Sequence, residues 1–345
     1  MNRIIFSLLI LSSSLVTIAQ DSQFSQFQSG VMNINPALAG ANHDLNASLA
    51  HRNQWSSFAN PFQTSMLSVD GRIFKKQLER NGNLGVGLTL LNDRAGRDGV
   101  VTNTVTLSAA YHVLVADNHT IGAGIYAGWG QRSLNSSEST WGNQYVGGAF
   151  NQAAPTGEDI GSASFSAIDL GAGLLYTYGF NSRQRPESDI KLNVGLSVYH
   201  VNRPNYSFLN TSNESQFIRI TGFVNAEIPT SAKDVSLLPG IYYHNQGPAN
   251  HLLMGTYAKF KIGSSSLHTG FKKSSSFSAG LFYRFKDAVV AKAMLEWSSF
   301  NVGFAYDFNV SSLTSVSRSL GGFEMFLSFS IEDMKKTSFS PRFGR

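Results

Sequence analysis

Cysteine is absent from all 345 residues. An exported chain of this kind forms no disulfides, so its hydrogen-bond ladder and packing must hold it together. Charge is scarce as well. Asp, Glu, Lys and Arg supply 14% of the residues, against about 25% in an ordinary soluble domain. A soluble protein of this length needs a charged shell, so the shortage argues against one. After the amino terminus no stretch offers ~18 consecutive apolar residues, which argues against a helical membrane span. The formal charge is +5, but the basic residues are scattered, with only short pairs such as Lys75-Lys76, Lys272-Lys273 and Lys335-Lys336. No basic stripe carries interleaved aromatics, so nucleic acid is not an expected partner.

Catalytic patterns are missing too. The eight histidines form no H-E-x-x-H and no close pair suited to zinc, and there is no G-x-S-x-G elbow. The expectation is therefore no catalytic, metal or cofactor-binding residue and no enzyme. An outer-membrane hydrolase stays open only if Ser, His and a carboxylate converge across strands. The G-x-G pairs at 85/87, 122/124 and 171/173 fall inside candidate strands, where glycine relieves crowding or permits a bend.

What is present is alternation. In "FNVGFAYDFNVS", Phe300, Val302, Phe304, Tyr306, Phe308 and Val310 occupy every second position, with Asn301, Gly303, Ala305, Asp307, Asn309 and Ser311 between them. A period of two is a strand with one apolar and one small or polar face. The same pattern sets Leu84, Val86, Leu88 and Leu90 against Gly85, Gly87 and Thr89, and Phe323, Met325, Leu327, Phe329 and Ile331 on one face of the last segment. Aromatics reach 12%, with 25 Phe, 12 Tyr and 32 Gly beside them. A soluble sandwich would carry Lys and Glu on its outer faces. Here the polar faces are mostly Gly, Ser, Thr and Asn, which suits strands with lipid on one side and a wet interior on the other.

The spacing predicts an all-β chain: a transmembrane antiparallel β-barrel of about fourteen strands, with both termini periplasmic. The candidate strands are 44–55, 62–71, 83–93, 100–114, 119–132, 164–179, 190–201, 216–229, 234–246, 250–262, 276–286, 288–297, 299–310 and 321–331. Segment 264–275 reads as a loop, because bacterial barrels favour even strand counts. Stretch 72–82 reads as a connection able to carry a short amphipathic helix. The long connections 133–163 and 202–215 fall on one side and 115–118 and 230–233 on the other, the asymmetry of outer loops and inner turns. Trp55, Trp129 and Trp297 lie near predicted strand ends, where an interfacial girdle would sit.

Residues 1–19, with Arg3 before an apolar run and Thr17 and Ala19 before Gln20, read as a signal peptide for export to the outer membrane. Residues 20–43 read as a plug-like or rim-packing segment leading into the barrel, 44–331 as the barrel and 332–345 as a basic tail. Asn-Pro in "NINPALAG" fixes an extended-to-turn step, and Gly40 permits a tight bend into the first strand. Arg52, Asp70, Arg284, Glu296, Asp307 and Glu324 fall on the lumen side or at strand ends, where opposed charges would form a network closing the interior.

These motifs resemble, in order, those of the PorP/SprF family of outer-membrane proteins. "DSQFSQF" and "NINPALAG", with Asn35, Pro36 and Gly40, resemble its opening. "HRNQW", with Arg52, Asn53, Gln54 and Trp55, resembles its first-strand signature. "GVGLTLLNDRAG" with Asp93, "GLSVYHVNRPNYSF" with His200, Arg203 and Pro204, "GLFYRFKDA" with Arg284, "GFAYDFNVSSL" with Asp307 and "GGFEMFLSF" with Glu324 resemble later motifs. The closing "SPRFGR" resembles the family's basic tail, so the likeness covers nearly the whole mature chain. It implies a non-enzymatic barrel of the type IX secretion and gliding system of the Bacteroidota. Such a barrel supports secretion or surface attachment of a large adhesin. Its partners would be outer-membrane lipid and either that surface protein or components of the secretion apparatus. A passive or substrate-selective porin is the alternative, and predicts an open lumen.

Overall fold

The computed structural model describes residues 21–27, 32–56, 60–73, 82–96, 99–116, 118–134, 141–157, 164–179, 190–205, 215–232, 234–263, 275–312 and 314–331. Its strands are β1 (Leu45–Gln54), β2 (Phe62–Ile73), β3 (Asn83–Ala95), β4 (Val100–Ala116), β5 (His119–Leu134), β6 (Tyr145–Val146), β7 (Ala149–Phe150) and β8 (Ser164–Tyr178). They continue as β9 (Lys191–Tyr199), β10 (Arg219–Pro229), β11 (Val235–Gln246), β12 (Ala249–Gly263), β13 (Ser275–Arg284), β14 (Ala288–Trp297), β15 (Phe300–Asn309) and β16 (Leu320–Ile331). All but β6 and β7 form a closed barrel of fourteen strands in which every pairing is antiparallel and β1 meets β16. Closure leaves no unpaired edge, so every strand can cross hydrocarbon with its backbone satisfied.

The fourteen barrel strands coincide with the fourteen candidate segments, within a few residues at each end. One feature of the 133–163 connection departs from a plain loop: β6 and β7 form a separate two-residue hairpin. Its turn is Gly147-Gly148, both at positive φ (65° and 85°), the backbone that a two-residue hairpin turn demands. The weak segment 264–275 ends in Ser275, which opens β13, and β12 pairs directly with β13. Residues 264–274 lie outside the described residues, as do 74–81 of the expected helical connection, the expected signal peptide and the basic tail.

Burial follows the alternation. Along β16, Phe323, Met325 and Leu327 are exposed while Glu324, Phe326 and Ser328 are buried. Along β3, Val86, Leu88 and Leu90 are exposed and Gly85, Gly87 and Thr89 buried. The apolar side chains point out, where only lipid suits them. Trp129 and Trp297 are exposed toward opposite rims of the barrel, while Trp55 is half-buried and sets its ring edge-on to Phe62 at 5.1 Å.

Leu45 and Ile331 pair at what is called here the proximal mouth, and Asp44 N–H donates to the Ile331 carbonyl at 2.8 Å. The opposite, distal mouth gathers Gln54, Tyr199, Arg219, Gln246, Arg284 and Asn309 at strand ends. Several inward positions are large and apolar: Met66, Leu175, Phe223, Tyr242, Tyr257, Phe282 and Phe326. They pack on Phe24, Phe27, Ile34 and Leu38 of the segment before β1. The molecule thus has a core inside its barrel, between the wall and its own amino-terminal segment.

Candidate functional site

That segment is tied to the wall at three places. At the first, Ser25 and Gln26 donate their backbone N–H groups to the two Glu324 carboxylate oxygens, each at 2.8 Å. Lys292 Nζ donates to the Ser25 carbonyl at 2.6 Å and lies 3.6 Å from the Phe282 ring centroid. Asp307 Oδ2 receives Arg52 Nη2 and Arg284 Nη2, both at 2.8 Å. Arg284 also donates to Ser25 Oγ at 2.6 Å, and Arg52 to the Gln23 carbonyl. Phe27 stacks on Tyr242 with centroids 5.3 Å apart. Three buried cations face two buried carboxylates, and backbone carbonyls of the segment take up remaining donors. A buried charge needs such pairing to be tolerable.

The second anchor is Asp21, at the distal end. Its Oδ2 lies 2.8 Å from Arg219 Nη1 and 2.7 Å from His200 Nε2. Gln216 Nε2 donates to Oδ1 at 2.6 Å, and the Asp21 N–H donates to Gln246 Oε1 at 3.0 Å. Burial alone would raise the Asp21 carboxyl, but His200 and Arg219 outweigh it and hold the carboxyl well below the usual carboxylate range. His200 lies one residue past the end of β9. Burial pulls its imidazole down, but Asp21, with the Asp169 carboxylate close by, more than reverses this and holds it at about 9. His200 Nδ1 is 2.9 Å from Asp169 Oδ1, off the hydrogen-bonding direction, and Asp169 in turn takes Tyr126 O–H at 2.6 Å.

The third anchor is the turn Pro36–Leu38. Asn35 caps it by accepting the Ala37 N–H at 2.8 Å, while its Nδ2 donates to the Leu174 and Leu196 carbonyls at 2.9 and 3.1 Å. Its backbone lies so close to the wall that only glycine fits opposite. A Cβ on Gly124 would come within 2.6 Å of the Ala37 nitrogen, and one on Gly85 within 1.9 Å of the Ala39 carbonyl. Gly40 has φ +62°, and its N–H donates to Asp70 Oδ2 at 2.9 Å. Proline and glycine here act as expected, at the entry to β1.

The expected charged network divides. Arg284, Asp307 and Glu324 converge on Ser25, with Arg52 joining them through Asp307, whereas Asp70 holds Gly40, and Glu296 pairs with Lys259 at 2.7 Å toward the proximal mouth. Of the other motif residues, Asn53 and Gln54 are half-buried at the end of β1, and Trp55 follows at φ 63°. Asp93 receives Thr64 O–H at 2.6 Å and lines a distal cavity of about 90 Å³ with His200 and Arg219. Arg203 is exposed and donates to Ser215 Oγ at 3.3 Å. Pro204 is buried, and its carbonyl accepts the N–H of Gln216, the residue that reaches Asp21. Sequence reasoning did not single out Asp21, Arg219, Gln216 or Lys292. Inward parity marks Arg219 and Lys292, but nothing local marks their partners.

On the outer wall His51 Nδ1 meets Ser65 Oγ at 2.9 Å, and among the described residues no carboxylate joins them. Nor do the described residues contain three His, Cys, Asp or Glu placed to hold a metal ion.

Solved structures similar to this chain are outer-membrane barrels of low identity. A Pseudomonas aeruginosa FadL homologue is 10% identical over 86% of this chain and 93% of its own, with a TM-score of 0.45. A TodX deletion variant, a monoaromatic hydrocarbon channel, is 10% identical over 88% and 94%, at 0.47. BamA from Haemophilus ducreyi is 11% identical over 84% and 70%, at 0.41. No curated protein matches the chain. The family model described as type IX secretion system membrane protein PorP/SprF matches residues 16–329. With that match across nearly its whole length, the chain belongs to the PorP/SprF family of type IX secretion membrane proteins.

Proposed function

We propose that this barrel acts without catalysis, supporting secretion of a large surface protein or its attachment to the cell, in an adhesin system of the kind that drives gliding. In this reading the signal peptide is removed on export, the proximal mouth faces the periplasm, and loops at the distal mouth and turns at the proximal one are the docking surfaces. The observation that carries it is the filled lumen. A segment that spends its backbone on Glu324, Lys292 and Arg52 occupies the space a solute would use. A rigid, self-plugged barrel is suited to scaffolding, because its outer surfaces stay fixed whether or not a partner is bound. Deleting the gene should abolish surface display of one or a few large secreted proteins and leave small-solute uptake unchanged. Normal display in the deletion strain would overturn the export role.

The porin reading draws on the cavities left on either side of the plug, about 90 Å³ distally and about 210 Å³ proximally. Planar-bilayer recording separates the two. The full chain should be electrically quiet and a variant lacking residues 21–43 conducting; equal conductance from both would favour the porin.

A further inference from the structure

The proximal cavity is short of hydrogen-bond donors. Asn42, Asn193 and Asn225 line it, and each keeps a side-chain oxygen buried with no hydrogen-bond partner among the described residues. Asn193 is 7% exposed and stands directly opposite Asn225 in the ladder between β9 and β10. Buried polar atoms are nearly always paired, so three lone acceptors around one cavity call for a guest that donates.

The carboxylates point the same way. Asp70, Glu227 and Glu296 line the cavity, and among the described residues Lys259 is the single Lys or Arg in that lining. Lys259 binds Glu296 at 2.7 Å, while Glu227 lies 3.7 Å from both Lys259 and Lys191, beyond hydrogen-bond length. Asp70 is occupied by the Gly40 N–H and by Asn46 Nδ2, each at 2.9 Å. The guest is therefore a cation rich in donors. A guanidinium suits it better than an ammonium, because it offers five N–H groups in a fixed plane against three. The lining also includes Leu38, Leu238 and Met294, around a space of about 210 Å³. An arginine next to an apolar residue in an extended stretch meets both kinds of wall, since successive side chains point in opposite directions.

Such a stretch starts at this mouth. Ile331 ends β16 opposite Leu45, and residues 332–345 follow it. They carry Lys335, Lys336, Arg342 and Arg345 against Glu332 and Asp333, the balance of charge that the cavity calls for. Arg342 is the one cation among them with an aromatic neighbour, Phe343. It lies eleven residues past Ile331, a reach of up to about 36–40 Å when extended. Strand spacing and tilt make the mouth roughly 30 Å across, so every point of it is within range. The tether also holds this guest at an effective concentration that a free partner must supply in bulk.

We propose that residues 332–345 fold back into the proximal mouth, seating Arg342 among Asn193, Asn225 and Glu227 and Phe343 against Leu238 and Met294. The absence of cysteine makes the test clean. The full chain carries one cysteine pair at a time: Met294→Cys or Leu238→Cys in the cavity, each with Gly344→Cys. The control pairs Gly344→Cys with Ile262→Cys, on the exposed face of β12 at the same mouth. Each variant is first shown to reach the membrane folded, and the second cavity position stands in for a first that does not. Mild oxidation should join at least one cavity pair within a single chain, read as linked peptides by mass spectrometry. That link should form about tenfold faster than the control. Adding Arg342→Gln should slow it by about tenfold, because hydrogen bonds from a charged group to buried acceptors are worth at least that factor. No link from either cavity pair, a rate equal to the control, a link joining two chains or a different protein, or indifference to Arg342→Gln would each overturn the proposal.

Discussion

Arg219 holds Asp21 at 2.8 Å through one guanidinium nitrogen and the Asn33 carbonyl at 3.1 Å through the other. It therefore fastens both limbs of the amino-terminal segment to the start of one strand, β10. Asp21 carries four polar partners of its own, so the first described residue of the chain is among the most firmly held. The path that follows runs from the distal mouth to Asp44 at the proximal one. The barrel wall and its plug are one continuous chain that crosses the lumen before the first strand begins.

Arg219→Met should loosen the plug without opening the barrel. It leaves the buried Asp21 carboxylate without its guanidinium, a loss of about 3–5 kcal/mol for a broken buried pair. Hydrogen exchange at residues 21–27 should accelerate while exchange in the strands stays slow. Unchanged protection of that segment would show that the staple carries little of the docking energy.

Asp307 is the shared acceptor of Arg52 and Arg284, and its loss leaves two buried guanidinium groups facing each other. Asp307→Ala should lower thermal stability by about 3–5 kcal/mol. Adding Arg52→Met should recover part of this, because one uncompensated cation is then gone. A double variant no more stable than Asp307→Ala would refute the coupling.

How much of this was legible in the sequence follows from range. Outward Leu, Val and Phe at every second position define each strand by itself, so all the barrel strands could be located from local pattern. Inward parity was equally readable for Arg52, Arg284, Asp307 and Glu324, which converge. Inward Phe282, Phe326 and Met66 run against the polar-lumen pattern and make sense only beside Phe24, Phe27 and Ile34. That packing, like the meeting of Asp21 with Arg219, depends on a path across the lumen that no local periodicity encodes. The Gly-Gly turn of β6–β7 was the opposite case, a readable signal flanked by Tyr145, Val146, Ala149 and Phe150 inside a stretch treated as loop.

Gly85→Ala should disturb the plug by contact alone. The added Cβ would lie 1.9 Å from the Ala39 carbonyl, whose backbone is pinned by the Gly40 bond to Asp70. Overpacking of this kind costs about 1–3 kcal/mol, and proteolysis near residues 36–43 should rise. Gly142→Ala, where nothing lies within 4 Å of the new Cβ, should leave both stability and proteolysis unchanged. Equal effects from the two substitutions would remove the close-approach argument.

The Asp21 and His200 pair predicts a pH window for plug docking. His200 is raised from an ordinary value of 6.5 to about 9. Its contribution is therefore complete below about 6.5 and lost as pH rises through about 9. Asp21 is lowered from an ordinary 3.8, so its contribution is complete above that value and fades as pH falls below it. Protection of residues 21–27 should be greatest between these limits and decline on the alkaline side toward pH 9. In His200→Gln, which keeps a donor but does not titrate, protection should be weaker at neutral pH and no longer decline over that alkaline range. An alkaline decline identical in wild type and variant would assign the pH dependence to some other group.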